Sequence, residues 1–463
     1  MASTNNVTNL ENFLVAPSPG AVSKLFVPLT CCDMWWIGFS PVHSLHFYQH
    51  PISRTCFLDT VIPGLKNSLS IALKHFPLIA GNLIIPSDST KPLIKYADGD
   101  SVPFLVVESD FHDFEYLTGN QPRICSEFYP LIPQLTKSTE SGGSKMYPLV
   151  ALQVTLFPGE GFCIGMTVNH VLGDGKSIYS FLKMWTTVSK FGEDEATKSN
   201  EFPPIYDREV MKVHTKELDC SFWSNSKETK LKTDMGITGK FKFCPEDDDK
   251  VRTTLVISLE DIQKLKKHVS DRHPSIKHLS TFAVLCAYVW TCLIKSRNVT
   301  IDEVEDEEEF IFAADCRGRT DPLIPINYFG NCTVGCLVRA KSVELCSEGG
   351  FFIATELIGD IIQKLLEFNG VHNALEKRFR KKAEFKDLNK LFSVAGSPRQ
   401  NHYDMDFGWG KPKKFEITST DSTGAMSLTG CRGNSGGVEI GLALQKGRMD
   451  VFNEIFSKGL QSL

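Results

Sequence analysis

The sequence predicts an α/β protein in two domains, and three observations carry that expectation. At 463 residues the chain exceeds what one hydrophobic core usually supports, so two units of about 200 residues each are expected. Short apolar runs of strand length alternate with longer helical patterns along most of it. Residues 192–213 carry charge, Pro203-Pro204 and no periodicity, which makes them the expected linker between an N-terminal unit, 1–191, and a C-terminal unit, 214–463.

The elements follow in order. Leu25 to Asp33 reads as an opening strand that ends at a carboxylate, and His46-Phe47-Tyr48 as a second, so two strands precede the first helix. That helix is expected over Pro63 to His75, with Leu65, Leu69, Ala72 and Leu73 on one face and Pro77 ending it. Gly81 turns the chain into a strand, Asn82 to Ile85, and the Ser- and Gly-rich stretch Ser138 to Lys145 reads as a surface loop. Leu149 to Phe157 and Phe162 to Val168 flank Pro158-Gly159-Glu160-Gly161, the pattern of a hairpin, and a helix follows from Lys176 through Trp185.

In the second half, Lys250 to Ser258 is a strand, and Ser258 with Asp261 opens a helix bearing Lys264, Lys266 and Lys267. Ser280 caps an all-apolar helix, Thr281 to Leu293, which therefore belongs in the core. The acidic run Asp302 to Glu309 reads as an exposed loop, and Phe310 to Ala314 as a buried strand leading into Asp315-Cys316-Arg317-Gly318-Arg319, where a fixed ion pair is expected. A helix over Phe352 to Phe368, an exposed basic connection over Lys377 to Lys382, strands Lys414 to Ser419 and Gly437 to Leu444, and a helix from Met449 complete the chain.

Composition narrows the function. A net charge of -5 offers no broad basic field for nucleic acid. The 14 cysteines include no C-x-x-C pair, so reduced thiols are expected and neither a metal site nor a redox pair is implied. Met1 to Asn12 lacks the apolar core of a signal peptide, and the longest charge-free apolar run, Phe282 to Ile294, is too short to span a bilayer; a soluble cytosolic protein that does not engage membranes is the expectation.

The chemistry concentrates after the hairpin. His170 stands where its second strand gives out, before Gly173-Asp174-Gly175, and a histidine held there suits general base work because its unperturbed pKa lies near neutrality. An ordinary buried or surface histidine fits the same position. Gly175-Lys176-Ser177 invites a phosphate-loop reading, but the first glycine of that loop would have to stand where His170 is, so ATP is not implied. The lysine helix is either a solvated face or a clamp for a phosphorylated ligand.

Three pieces stand in order: His170-x-x-x-Asp174-Gly175, Tyr328-Phe329-Gly330-Asn331-Cys332 and Asp406-Phe407-Gly408-Trp409-Gly410. As a set they resemble the plant BAHD acyl-CoA-dependent acyltransferases. Leu29-Thr30-x-x-Asp33, Leu65-Lys66-x-Ser68-Leu69 and Pro77-Leu78-x-Ala80-Gly81 extend the resemblance over essentially the whole chain. It implies a two-domain fold similar to chloramphenicol acetyltransferase, mixed sheets with helices, and a channel between the halves with His170 at its centre. Acyl-CoA would enter from one face, as co-substrate rather than bound cofactor, and the acceptor from the other. By the same resemblance Asp174 points away from the substrate and pairs with an arginine, Arg317 first and Arg319 in reserve, while Asp406 to Gly410 shapes the CoA channel. Lys264 and Lys266, with Ser280 and Thr281, are the candidate CoA contacts, and Asn331 and Trp409 the candidate oxyanion donors. No metal is required.

The second motif resembles the branch that acylates sugars of flavonoid, anthocyanin and phenolic glycosides, using malonyl-CoA or hydroxycinnamoyl-CoA. Lys176, Arg399 and Arg432 are cations that could meet a malonyl carboxylate, although Lys176 follows the motif with either donor. Malonyl transfer by a monomer is the expectation, with hydroxycinnamoyl transfer or N-acylation of an amine as alternatives. This chain has a single histidine in the first motif, with Asn169 before it, where a double one is frequent.

Overall fold

Three sheets organise the chain. The computed structural model describes all residues except 1–6, 87–90, 110–112, 136–138, 142, 200–202, 232–248, 277, 298–305, 368, 381–389 and 434–435. Strands Thr8–Val15, Val102–Glu108, Val150–Phe157, Gly161–Val168, Val42–Gln49 and Lys414–Ile417 lie side by side in the first sheet. The second runs Thr333–Lys341, Glu307–Asp315, Leu391–Gly396, Met426–Gly430, Val438–Gln445, Lys250–Ile257 and Arg123–Ile124, and a smaller third sheet contains Lys24–Pro28, Leu93–Ala97, Asn82–Pro86, Ser144–Pro148 and Thr139–Ser141.

The central hairpin pairs without a break from Val150 opposite Val168 to Phe157 opposite Gly161. All sixteen of its strand residues are buried, so both faces are covered and the sequence shows continuous apolar runs rather than alternation. Helix Gly175–Phe191 packs on helix Ile62–His75, where the Trp185 indole donates to Ser68 Oγ at 3.2 Å. Residues Ala283 to Ile294 of helix Thr281–Lys295 are all buried, as its all-round apolar character demands.

Each large sheet takes a strand from the other half of the sequence. Lys414–Ile417 pairs with Val42–Gln49, and Arg123–Ile124 pairs with Lys250–Ile257. Buried charges join these exchanged strands: Arg123 meets Glu416 at 2.8 Å, and Arg252 meets Glu416 at 3.0 Å and Asp421 at 2.6 Å.

Several expectations change. Two strands precede helix Ile62–His75 as expected, Lys24–Pro28 and Val42–Gln49, but so does Thr8–Val15, and Asp33 sits not at a strand end but in a one-turn helix, Cys31–Met34, capped by Thr30. The segment expected as a linker holds helix Glu193–Ser199 and the start of helix Glu209–Leu231; three acidic residues in the first turn of the former suit the helix dipole, a signal that apolar periodicity does not register. In the acidic run, residues 302–305 lie outside the described set, but Glu308 and Glu309 are buried strand residues, Glu308 accepting from Ser342 Oγ and Glu309 paired with Arg339 at 2.8 Å. Of the basic run, Lys377 to Arg380 lies in helix Gly370–Arg380, with Arg378 buried over the Trp35 ring; its last two residues are outside the described set. Ser144 and Lys145 belong to a strand rather than a loop. The described cysteines are free thiols, nearly all buried.

Candidate active site

His170 follows the last strand residue of the hairpin by two positions, in a single turn, His170–Leu172, whose start is capped by the Asn169 side chain accepting from Val171 N–H at 3.1 Å. The ring is half-buried and stacks on Trp36, centroids 3.6 Å apart and planes within 12°. Its Nδ1 faces Asn331 Oδ1 at 3.1 Å. The Asn331 amide cannot turn round, because its Nδ2 has only acceptors about it: His170 O at 2.9 Å, Asp33 Oδ1 at 3.1 Å and Val171 O at 3.3 Å. Oδ1 must therefore face the imidazole, which places the proton on Nδ1 and leaves the Nε2 lone pair as the basic site. Burial pushes the His170 pKa below the ordinary histidine value, against opposing pulls from its own carbonyl, Asp174, Asn331 and Asp33. That direction favours the neutral imidazole at neutral pH, the form that can accept a proton.

Asp174 caps helix Gly175–Phe191, accepting from Ser177 N–H at 3.0 Å. Its carboxylate is buried, meets Arg317 through two N–H donors at 2.8 and 3.0 Å, and accepts from Cys332 N–H at 2.9 Å. Burial alone would raise its pKa; the Arg317 guanidinium overrides that and holds the carboxyl below its usual range. Arg317 is buried while Arg319 is exposed, which decides between the two arginines, and Arg317 also meets Asp315 at 2.8 Å, the short-range pair expected after that strand.

Two arginines hold the second motif in place. Arg317 donates to Tyr328 O at 3.1 Å and Gly330 O at 3.1 Å, and Arg208 donates to Phe329 O at 2.5 Å. A Cβ on Gly330 would lie 2.5 Å from an Arg208 nitrogen, so the motif's glycine is the space that the guanidinium fills. Arg208 in turn is ion-paired with Asp33 at 3.2 Å, both side chains buried. Asp33, Arg208 and Trp36 are site residues that spacing did not assign. The one signal for any of them was the Leu29-Thr30-x-x-Asp33 match, which carried no role.

The third motif stands elsewhere. Trp409 packs edge-on against Phe162, 5.5 Å between centroids, whereas His170 lies beyond Val168 at the other end of that strand, about 20 Å away at strand spacing. Trp409 is thus too far to donate to an oxyanion formed at His170. Asp406 accepts from Lys190 at 2.6 Å and from Gly408 and Gly410 N–H at 2.8 and 3.0 Å, and both glycines have positive φ, 112° and 97°.

The remaining candidates are surface groups and helix caps. Lys264 is exposed and pairs with Glu260 at 2.8 Å, Lys266 is half-buried on the same helix, and Ser280 caps the helix that Thr281 begins, accepting from Ala283 N–H at 3.1 Å. Lys176 pairs with Asp315 at 3.5 Å, and Arg399 and Arg432 are exposed. Among the described residues no group of three His, Cys, Asp or Glu is placed to hold a metal ion, and no helix is long and apolar enough to cross a membrane.

Comparison with known proteins bears on the whole chain. The Transferase family model matches residues 5–458. A malonyl-coenzyme A:anthocyanin 3-O-glucoside-6''-O-malonyltransferase of Dahlia pinnata is 38% identical, covering 99% of this chain and 98% of that one. Phenolic glucoside malonyltransferase 1 of Nicotiana tabacum is 41% identical over 90% and 91%, and a coumaroyl-CoA:anthocyanidin 3-O-glucoside-6''-O-coumaroyltransferase of Arabidopsis thaliana 35% identical over 98% and 97%. The solved structure of vinorine synthase, 21% identical, superposes with a TM-score of 0.69 over 96% of both chains, which shows the two-domain fold.

Proposed function

The chain belongs to the plant BAHD acyl-CoA-dependent acyltransferase family, and from that premise we propose that it transfers malonyl from malonyl-CoA to a sugar hydroxyl of a flavonoid or phenolic glycoside. The observation that carries the mechanism is the 3.1 Å contact between His170 Nδ1 and Asn331 Oδ1: in this reading it holds the proton on Nδ1 and leaves Nε2 to accept one. In this reading Nε2 takes the acceptor hydroxyl proton as the oxygen attacks the thioester carbonyl, and the tetrahedral oxyanion collapses to release the CoA thiolate, which recovers the proton from the imidazolium. Asp174 touches no substrate; with Arg317 it fixes the turn that presents His170. Lys266, Ser280 and Thr281 are proposed to meet CoA, with Lys264 available if phosphate displaces Glu260. The proposed division is 1–191 and 214–463 about a connecting 192–213, each half lending the strand described above to the other. The protein is proposed to act in the cytoplasm as a monomer.

The donor choice rests on the relatives, since the malonyltransferases at 38% and 41% identity exceed the coumaroyltransferase at 35%. A malonyl carboxylate also needs a cation, which exposed Arg399 or Arg432 could supply. The test is competition between malonyl-CoA and p-coumaroyl-CoA at equal concentration over one phenolic glucoside. A predominantly malonylated product is expected; a predominantly coumaroylated one overturns the donor choice and installs the aromatic alternative.

A further inference from the structure

We propose that Asp33, balanced by Arg208, is a positioning residue for the reaction, holding Asn331 in the one orientation that keeps the His170 proton on Nδ1. The proposal rests on the reading of His170 as base. The geometry is a relay in which Asp33 Oδ1 accepts from Asn331 N–H at 2.9 Å and from Nδ2 at 3.1 Å, and the same amide presents Oδ1 to His170 Nδ1 at 3.1 Å. Were the amide to flip, its oxygen would face the Asp33 carboxylate as well as the His170 and Val171 carbonyls, and its NH2 would drive the imidazole to the other tautomer, with the proton on Nε2. The charge on Asp33 makes that penalty larger than a neutral acceptor would, because charge-assisted bonds are the stronger ones.

The other carboxylate oxygen, Oδ2, accepts from Thr30 N–H at 3.1 Å and Thr30 Oγ at 3.0 Å. That fixes the turn Cys31–Met34, two residues after which Trp36 lies flat on the His170 ring. One buried carboxylate therefore governs both the edge and the face of the imidazole. A wholly buried charge is costly unless paired, and Arg208, reaching Oδ2 at 3.2 Å, supplies the partner. Apolar residues often replace a buried ion pair without loss of stability, so stability alone gives no reason for this pair to lie beside the reacting ring.

The test separates positioning from charge balance. Asp33→Asn is expected to lower kcat at least about tenfold, with KM for malonyl-CoA within about twofold of wild type, because misplacement of a catalytic group is felt in the chemical step. Adding Arg208→Met removes the orphaned cation. The double variant is expected to recover the melting temperature lost in the single one while kcat stays low. Recovery of kcat to within about twofold of wild type would show that Asp33 served only to neutralise Arg208, and would overturn the proposal. Asn331→Ala leaves the ion pair intact and is expected to lose kcat similarly with KM unchanged; wild-type kcat in that variant overturns the proposal whether or not the Asp33 variants fold. An inactive His170→Ala beside a fully active Asn331→Ala sinks only the relay, whereas an active His170→Ala sinks the base reading beneath it.

Discussion

The two ends of helix Gly175–Phe191 are both finished by an aspartate in a glycine-bearing loop, and they do opposite work. At the N-terminal end Asp174 is buried and satisfied by Arg317, Ser177 and Cys332, all within 3.1 Å. At the C-terminal end, about 25 Å along a helix of this length, Asp406 is half-buried and held by Lys190 and two glycine N–H groups. The first loop stiffens the turn that presents His170. The second carries Phe407 and Trp409 onto Trp185 and Phe162, and so fastens the helix to the hairpin tip. Charge and glycine content alone do not separate the loop beside His170 from the one at the hairpin tip; burial and the partner do.

The comparison breaks at once if the N-terminal end is not where chemistry happens. His170→Ala is expected to cost at least about 100-fold in kcat, the lower range of general base catalysis, with acyl-CoA affinity unchanged. Thiol release and calorimetric titration with malonyl-CoA measure the two. Turnover within about tenfold of wild type would remove His170 from the mechanism.

Next in size is the ion pair behind it. Asp174→Asn is expected to destabilise by up to about 3–5 kcal/mol, since it leaves the buried Arg317 with only the partly exposed Asp315 to balance it. Arg317→Met in the same background should return part of that loss, because a neutral pair of similar volume leaves no buried charge unpaired, and Asp315, which also loses the arginine, is 37% exposed to water. Denaturant unfolding of the two singles and the double closes the cycle, and strictly additive losses would mean that the two side chains are not coupled.

How much of this was legible follows from range. The hairpin, the helix after it and the core helix Thr281–Lys295 announce themselves within a few residues through apolar runs, turn glycines and caps. The two aspartate loops were legible as motifs, and the difference between them only through the family resemblance, which set Asp174 against an arginine and Asp406 to Gly410 outside the reacting centre. The partners that make the difference, Cys332 for one and Lys190 for the other, were not legible. Asp33 reaches Asn331 across 298 positions and Arg208 reaches Phe329 across 121, and neither contact leaves a local pattern. Arg208 stood in a stretch that Pro203-Pro204 made look like a tether, although that stretch bridges to Tyr328 through Ile205. Glu309 looked solvated because its partner, Arg339, lies opposite it on a neighbouring strand, and register is not written in either strand alone.

Acid sharpens the comparison in a different way. The lowered pKa of His170 keeps Nε2 unprotonated to lower pH than a free imidazole, so the acid limb of kcat/KM should fall below 6.5. An acid limb above 6.5 contradicts a base desolvated in this way. For stability the lowered pKa of Asp174 has its own sign: its contribution is fully present above the unfolded value of 3.8 and is lost as pH falls through the still lower folded value. Activity should therefore fail at higher pH than this part of the stability does.

The smallest effect belongs to the other end of the helix. Asp406→Asn keeps an oxygen for the N–H groups of Gly408 and Gly410, which hold the positive-φ backbone, and removes only the charge that Lys190 sees. Lys190 is 37% exposed, so the pair is screened, and a loss of about 0.5–1 kcal/mol is expected. Asp406→Ala removes the acceptor as well and should cost more than Asp406→Asn, since the loop then has nothing to fold around. In Asp406→Asn, kcat should stay within about threefold of wild type, because no bond from Asp406 reaches the His170 end. Melting temperature and kcat measured on the same preparation decide the matter. A large fall in kcat for Asp406→Asn at unchanged melting temperature would put this loop in the chemistry and erase the distinction between the two ends of the helix.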